Sequence, residues 1–162
     1  STLVLGDNIF EEDFTEAIQS FERGGRIFAK EVTDPERFGV VEFSEDNQVL
    51  SIEEKPAVPK SRFAIPGVYI FDGRAIEVAK TLTPSARGEL EITDLQRHYL
   101  SLGELDVRVI TGAWFDTGTH ESLYEASAFV REKKLGEAMH PMINEAIAEF
   151  NTEYKHIVSI KK

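Results

Sequence analysis

The sequence predicts an α/β chain built on a mixed β-sheet. Short apolar runs alternate with stretches of helical periodicity, which is the pattern of helices laid on a sheet. One hairpin signal interrupts the alternation, so the sheet is not purely parallel. No internal repeat or low-complexity segment competes with that reading. The chain has 162 residues, 41% hydrophobic and 29% charged, enough for one real core.

The elements follow in order. Leu3 to Leu5 is a continuous apolar run, suited to a strand buried on both faces. Such a strand needs neighbours on each side, and a chain that opens on it reads as N-terminally cut. A helical stretch is expected after Asn8, capped by Asp13, carried by Phe14, Ala17, Ile18 and Phe21, and stopped at Gly24-Gly25. Arg26 to Val32 reads as a strand with Ile27 and Ala29 on one face and Phe28 and Lys30 on the other. Asp34 to Arg37 is a turn, and Val40 to Phe43 a strand. Glu45 to Gln48 is a hairpin turn that sends Val49 to Glu53 back. Phe63 to Phe71 is a strand interrupted at Pro66-Gly67, where a bulge or close backbone approach is expected. Helices are expected over Arg74–Leu82 and from Thr93 or Asp94 to Leu102, the latter with Leu95, Tyr99 and Leu102 on one side. Strands at Asp106–Ile110 and up to Asp116, then a helix over Glu121–Lys133, complete the pattern. Met142, Ile143, Ala146, Ile147 and Phe150 trace a further helical stripe, and His156 to Ile160 a short strand.

Composition excludes several functions. With 18 Lys and Arg against 29 Asp and Glu, the net charge is −11, the wrong balance for nucleic acid as main partner. Phosphorylated small molecules need only a few local cations. Cysteine is absent, which removes disulfides and thiolate metal sites and fits a cytoplasmic location. No apolar run approaches the ~18 residues of a membrane span. The histidines show no ligand spacing, and no P-loop, dinucleotide fingerprint or nucleophile elbow is present.

Two acids stand at strand ends. Asp7 follows Leu3–Leu5 and Asp116 follows Trp114-Phe115. Ligands of open α/β sheets bind beyond the carboxyl ends of strands. If the two strands are neighbours, the carboxylates converge, and a pair of them suits Mg²⁺ shared with a substrate phosphate. Singly, each reads as a turn former or cap. Glu54-Lys55-Pro56 places an acid and a base at a break between strands, where the Lys could meet a phosphate and the Glu sugar hydroxyls. A solvated turn is the plainer reading. Arg87, among small residues, could fork onto phosphate oxygens or pair with Glu89 or Glu91. Phe38-Gly39 could set a ring against a sugar or base, although a core Phe is the plainer reading of Phe38 alone.

Five segments then stand in a telling order: Leu3-Val-Leu-Gly-Asp-Asn-Ile9, Asp34 to Phe43, Glu53-Glu-Lys-Pro56, Pro84 to Asp94, and Ala113-Trp-Phe-Asp-Thr-Gly-Thr-His-Glu-Ser-Leu123. Over residues 2 to 127 the chain resembles the sugar nucleotidyltransferases, most closely their short bacterial thymidylyl-transferring members. The resemblance implies a three-layer mixed sheet of the Rossmann-like nucleotidyltransferase type, N-terminally truncated. It implies transfer of a nucleotidyl group from a nucleoside triphosphate, dTTP above all, to glucose 1-phosphate, with Mg²⁺ as cofactor and pyrophosphate as leaving group. Asp7 and Asp116 match the metal acids, and Lys55 and Arg87 join them as catalytic candidates. Glu54 and Lys55 match positions that hold the sugar and its phosphate, and Arg87 a phosphate contact. Gly39, Ile65, Gly67 and Trp114 match the sugar pocket. Phe38 stands where the family often has Tyr.

The family's Gly-rich nucleotide loop and the base-reading segment have no counterpart here. Residues 1–133 then correspond to the C-terminal, sugar-phosphate-binding portion of the domain, and 134–162 to a divergent helical tail. Weak or no activity in isolation is expected, and self-association to a homo-oligomer. The competing reading is a truncated, non-catalytic sugar-phosphate-binding or oligomerisation module.

Overall fold

A computed structural model of the chain describes residues 1–85 and 87–133. The stripe at Met142–Phe150 and the strand at His156–Ile160 lie outside those residues. The chain divides into two compact units, Ser1–Asp116 and Thr117–Lys162.

The first unit is organised around β3 (Gly25–Glu31). Its alternation separates two cores. Ile27 and Ala29 face Leu95 and Tyr99, while Phe28 faces Phe14, Ala17 and Phe21 with Val68 and Ile70. The first core lies under α2 (Ala75–Ala79) and α3 (Ile92–Ser101). The second lies under α1 (Thr15–Gln19) and a small sheet of β2 (Asn8–Phe10) and β9 (Trp114–Asp116). The arrangement is therefore three-layered, as predicted.

The sheet is mixed. β8 (Leu105–Val109) runs parallel to β3, and β6 (Phe63–Ala64) and β7 (Val68–Phe71) run antiparallel to it. β6 and β7 are one strand broken at Ile65–Gly67. Beyond β7 lies β1 (Thr2–Val4). Beyond β6 lies β4 (Gly39–Phe43), hairpinned to β5 (Val49–Glu54). At the break the backbone closes on both sides: Leu5 donates its N–H to Gly67 O at 2.8 Å, and Ile65 donates to Gly39 O at 2.7 Å. The end of β1 and the start of β4 thus flank one gap in the sheet, where ligands of such sheets are received.

Several expectations change. Asn8–Phe10, ahead of the helix expected from Asp13, is a strand that the sequence did not show, because it finds a partner in Trp114–Asp116, which local periodicity cannot reveal. β1 is not buried on both faces: Leu3, Val4 and Leu5 are 44%, 53% and 40% exposed. Among the described residues β7 is the strand it pairs with, and its other edge carries none. α2 stops at Ala79 rather than Leu82. Beyond it Thr81 and Leu82 donate to carbonyls three residues back, and the Thr81 hydroxyl also takes Val78 O at 2.7 Å. Leu102, expected inside, is half exposed beyond the end of α3.

In the second unit, α4 (His120–Lys133) is capped by Thr119, whose Oγ1 accepts from Ser122 N at 3.1 Å. No helix of the described residues is long and apolar enough to cross a membrane.

Candidate functional site

The gap beside Ile65–Gly67 opens into a cleft of about 200 Å³. Asp7 and Asp116 both line it, though not by the route expected. β1 and β9 belong to different sheets. What brings the acids together is β2: Asn8 is the register partner of Asp116 in the antiparallel β2–β9 pair, and Asp7 precedes Asn8. The end of one strand therefore meets the beginning of the other.

Asn8 ties this corner together. Its Oδ1 accepts from the Trp114 indole N–H at 2.7 Å and from Gly67 N at 2.9 Å, while its Nδ2 donates to Asp7 Oδ1 at 2.9 Å. The close approach predicted at Gly67 is real, but the approaching group is the chain itself. A Cβ there would stand 2.8 Å from Asn8 Nδ2 and Leu5 Cβ. The stretch leading into β9 is also held from outside the cleft. The Glu12 carboxylate accepts from Thr111 N and Gly112 N at 3.1 and 3.0 Å, and Lys30 Nζ donates to Thr111 O and Gly112 O.

The opposite wall carries Glu54 and Lys55 at the end of β5. Lys55 takes a φ of +42°, uncommon for a residue with a side chain, with its N–H on Phe38 O at 3.0 Å. Its ammonium makes no ion pair with the described residues, unlike Arg37, which pairs with Asp34 at 2.7 Å. Lys55 is thus the cleft cation available to a phosphate. Burial pushes the Glu54 carboxyl above the ordinary range, and the nearby Glu91 charge adds to this. Gly39 leaves room here, since a Cβ would stand 3.1 Å from Thr93 Cγ2 and 3.3 Å from Glu54 Oε2. Phe38 and Trp114 stand with ring centroids 5.0 Å apart, and Ile65 lines the floor.

Arg87 is the sequence candidate that the structure does not bring into the cleft lining. Its guanidinium pairs with Glu89 at 3.0 Å and lies 3.6 Å from Glu91 and 3.7 Å from Glu54. The acid partners recognised beside it in sequence hold it.

Sequence reasoning missed Asn8, Tyr69, Thr93 and Gln96, which also line the cleft. Burial, then the charges of Glu54 and Asp7, raises the Tyr69 phenol well above its usual range. Thr93 Oγ1 and both polar atoms of Gln96 are buried without hydrogen-bond partners among the described residues. Thr93 lies near enough to Glu54 to favour its ionised form slightly, though outside hydrogen-bond geometry. For Gln96 the sequence carried no signal, since only the fold shows that it is buried.

The donor set fits Mg²⁺. Among the described residues no cluster of three or more acids and imidazoles is placed to hold a metal. Mg²⁺ needs no such cage: it takes one or two carboxylates and completes its shell with water and phosphate oxygens.

Acids and an ammonium around one cleft of such a sheet could hold a divalent metal and a phosphate. Residues 1–133 match the nucleotidyl transferase family, and the chain belongs to it. Among its relatives, a glucose-1-phosphate thymidylyltransferase of Neisseria meningitidis is 51% identical over 152 residues, covering 90% of this chain and 53% of that protein. One from Mycolicibacterium smegmatis is 46% identical, covering 90% and 52%. A Bacillus anthracis structure described as a glucose-1-phosphate thymidylyltransferase, in complex with sucrose, superposes with a TM-score of 0.74 at 43% identity, over 80% of this chain and 54% of that one. A UDP-glucose pyrophosphorylase complexed with UDP-glucose has a TM-score of 0.70 at 23% identity, covering 82% and 56%, which shows the fold alone. The chain spans about half the length of the curated relatives it matches.

Proposed function

We propose that this chain carries the sugar 1-phosphate and Mg²⁺ side of a nucleotidyl-transfer site, acting on dTTP and glucose 1-phosphate to give dTDP-glucose and pyrophosphate. Such a product serves deoxysugar and surface polysaccharide synthesis. The observation that carries the reading is the convergence of Asp7 and Asp116 on the cleft that holds Glu54 and Lys55.

In this reading Lys55 meets the sugar phosphate as a point charge. Glu54 accepts from ring hydroxyls, in its ionised form. Phe38 and Trp114 offer apolar ring surface to the sugar, and the Asn8 contact fixes the indole. Asp7 and Asp116 would hold the Mg²⁺, which supplies charge stabilisation on a polyphosphate. The acceptor's phosphate oxygen bonds to the α-phosphorus as the bond to pyrophosphate breaks. No covalent enzyme intermediate is needed, so placement and electrostatics supply the catalysis. Arg87 takes part only if it leaves its carboxylate partners for the ligand.

A second reading is a sugar-phosphate-binding module without chemistry. Trp114, the single tryptophan of the chain, lines the cleft and reports on both readings. Fluorescence titration with glucose 1-phosphate and Mg²⁺ should saturate, and pyrophosphate release should be greatest with dTTP among the four deoxynucleoside triphosphates. Saturation without release selects the module. No response to glucose 1-phosphate removes both readings. The edge of β1 that no described strand covers, with its exposed apolar residues, supports self-association. A strictly monomeric species by light scattering at tens of micromolar would contradict it.

A further inference from the structure

We infer that Gln96 is a specificity residue that reads a hydroxyl of the ligand's sugar ring, an inference resting on the sugar 1-phosphate reading above. Gln96 is fully buried on α3 and lines the cleft, and among the described residues neither Nε2 nor Oε1 has a hydrogen-bond partner. A carboxamide offers two N–H donors and two acceptor lone pairs. Burying both atoms unpaired opposes folding, and such groups are rare in native interiors. A methionine of similar shape would fill the space without that cost. The neighbouring inward residues of α3, Leu95 and Tyr99, join the core with Ile27 and Val41. Packing alone therefore does not call for an amide at position 96.

The chemistry of the missing partner follows from the side chain. A phosphate oxygen only accepts, so it would satisfy Nε2 and leave Oε1 orphaned. A cation would do the reverse. A hydroxyl both donates and accepts, and adjacent ring hydroxyls can serve both atoms together. Thr93, one turn earlier, presents a buried hydroxyl without a hydrogen-bond partner among the described residues, beside Gly39 and Glu54. Thr93 and Gln96 add uncharged polar groups to the cleft lining, whereas Lys55 supplies the charge for the phosphate. The amide reaches the ring by turning about its own χ angles or across one bridging water.

The test uses the whole chain and Trp114 fluorescence. Glucose 1-phosphate, its singly deoxygenated analogues and inorganic phosphate are titrated against the parent and Gln96→Met, and thermal melting is recorded for both. The parent should bind at least one deoxy analogue about tenfold more weakly than glucose 1-phosphate. Gln96→Met should bind glucose 1-phosphate about tenfold more weakly, lose that discrimination, bind inorganic phosphate like the parent, and melt at the same temperature or higher. Equal glucose 1-phosphate affinity and retained discrimination in Gln96→Met would overturn the inference alone. So would a parallel fall in melting temperature and in affinity for every ligand, which marks a structural amide. A parent that does not bind glucose 1-phosphate overturns the underlying reading as well.

Discussion

The two halves of α3 face opposite kinds of environment. Its first turns present Thr93 and Gln96 to the cleft with buried polar atoms unpaired. Its last turn presents Tyr99, fully buried, whose hydroxyl donates to Asp72 at 3.0 Å. Asp72 also accepts from Gly24 N at 2.9 Å and from the Arg74 backbone and guanidinium. Arg74 lies over the Tyr99 ring and reaches Glu104. Nearby, Arg26 forks onto Asp106 and donates to Ala17 O and Ser20 Oγ. At that end the hydrogen bonds are made within the chain. At the cleft end the side chains of Thr93 and Gln96 find none among the described residues, and Lys55 adopts a costly backbone conformation. Violations of local rules gathered at one place, with satisfaction elsewhere, are the pattern of a binding site carried by a stable frame.

Four substitutions would break or sharpen this contrast. The largest effect is expected at the acid pair. Asp116→Asn should lower Mg²⁺-dependent pyrophosphate release, in any form of the protein that shows it, by about a hundredfold or more, with the melting temperature little changed. Unchanged release would count against the assignment.

At the frame end, Asp72→Asn should cost roughly 2 kcal/mol in denaturant unfolding while leaving glucose 1-phosphate binding intact. The Arg74 guanidinium, with the Gly24 and Arg74 backbone N–H groups, holds this carboxyl well below the usual range. Its stabilisation is therefore complete above the ordinary carboxylate range and lost as pH falls through the folded value. The parent and D72N should converge in strong acid, and a constant difference down to that range would refute the sign.

Gly67→Ala lies between the two regions. Its Cβ would collide with Leu5 and Asn8, so about 1–2 kcal/mol of stability should be lost. Mg²⁺ affinity should fall too, because Asn8 is bonded to Asp7. Intact metal affinity would show that Asp7 is placed by something else.

Glu54→Gln should have the smallest effect on stability and the opposite sign from Asp72→Asn. Burial and Glu91 raise the Glu54 pKa, so its ionisation opposes folding. The parent loses stability as pH rises from the ordinary glutamate value through the raised one. Glu54→Gln should escape that loss, gaining under about 1 kcal/mol at neutral pH, yet bind glucose 1-phosphate more weakly. A variant less stable than the parent at neutral pH would sink this account.

Much of the fold was legible because it is local. The alternation of Ile27, Phe28 and Ala29 separates the two cores as predicted, and the turn at Glu45–Gln48 pairs β4 with β5. Of the candidate site residues, those on either side of Ile65–Gly67 and on β9 converge as the motifs suggest. The less legible parts depend on distant partners. Asn8–Phe10 is a strand only because Trp114–Asp116 lies beside it. Gln96 resembles any helical residue until its burial is known. Arg87 has both a phosphate and carboxylates as plausible partners, and only the fold shows which carboxylates lie near.

The sequence by itself indicated the kind of molecule: apolar periodicity pointed to strands and helices, charge balance argued against nucleic acid as main partner, and ordered motifs pointed to the family. Tertiary structure alone decided which groups face one another. A carboxylate's role depends on what stands within a few ångströms, and chain spacing does not encode distance across a sheet. Asp7 and Asp116 share a cleft because an unforeseen strand pair joins them, whereas Asp72, an equally ordinary acid in the sequence, is spent on holding the frame.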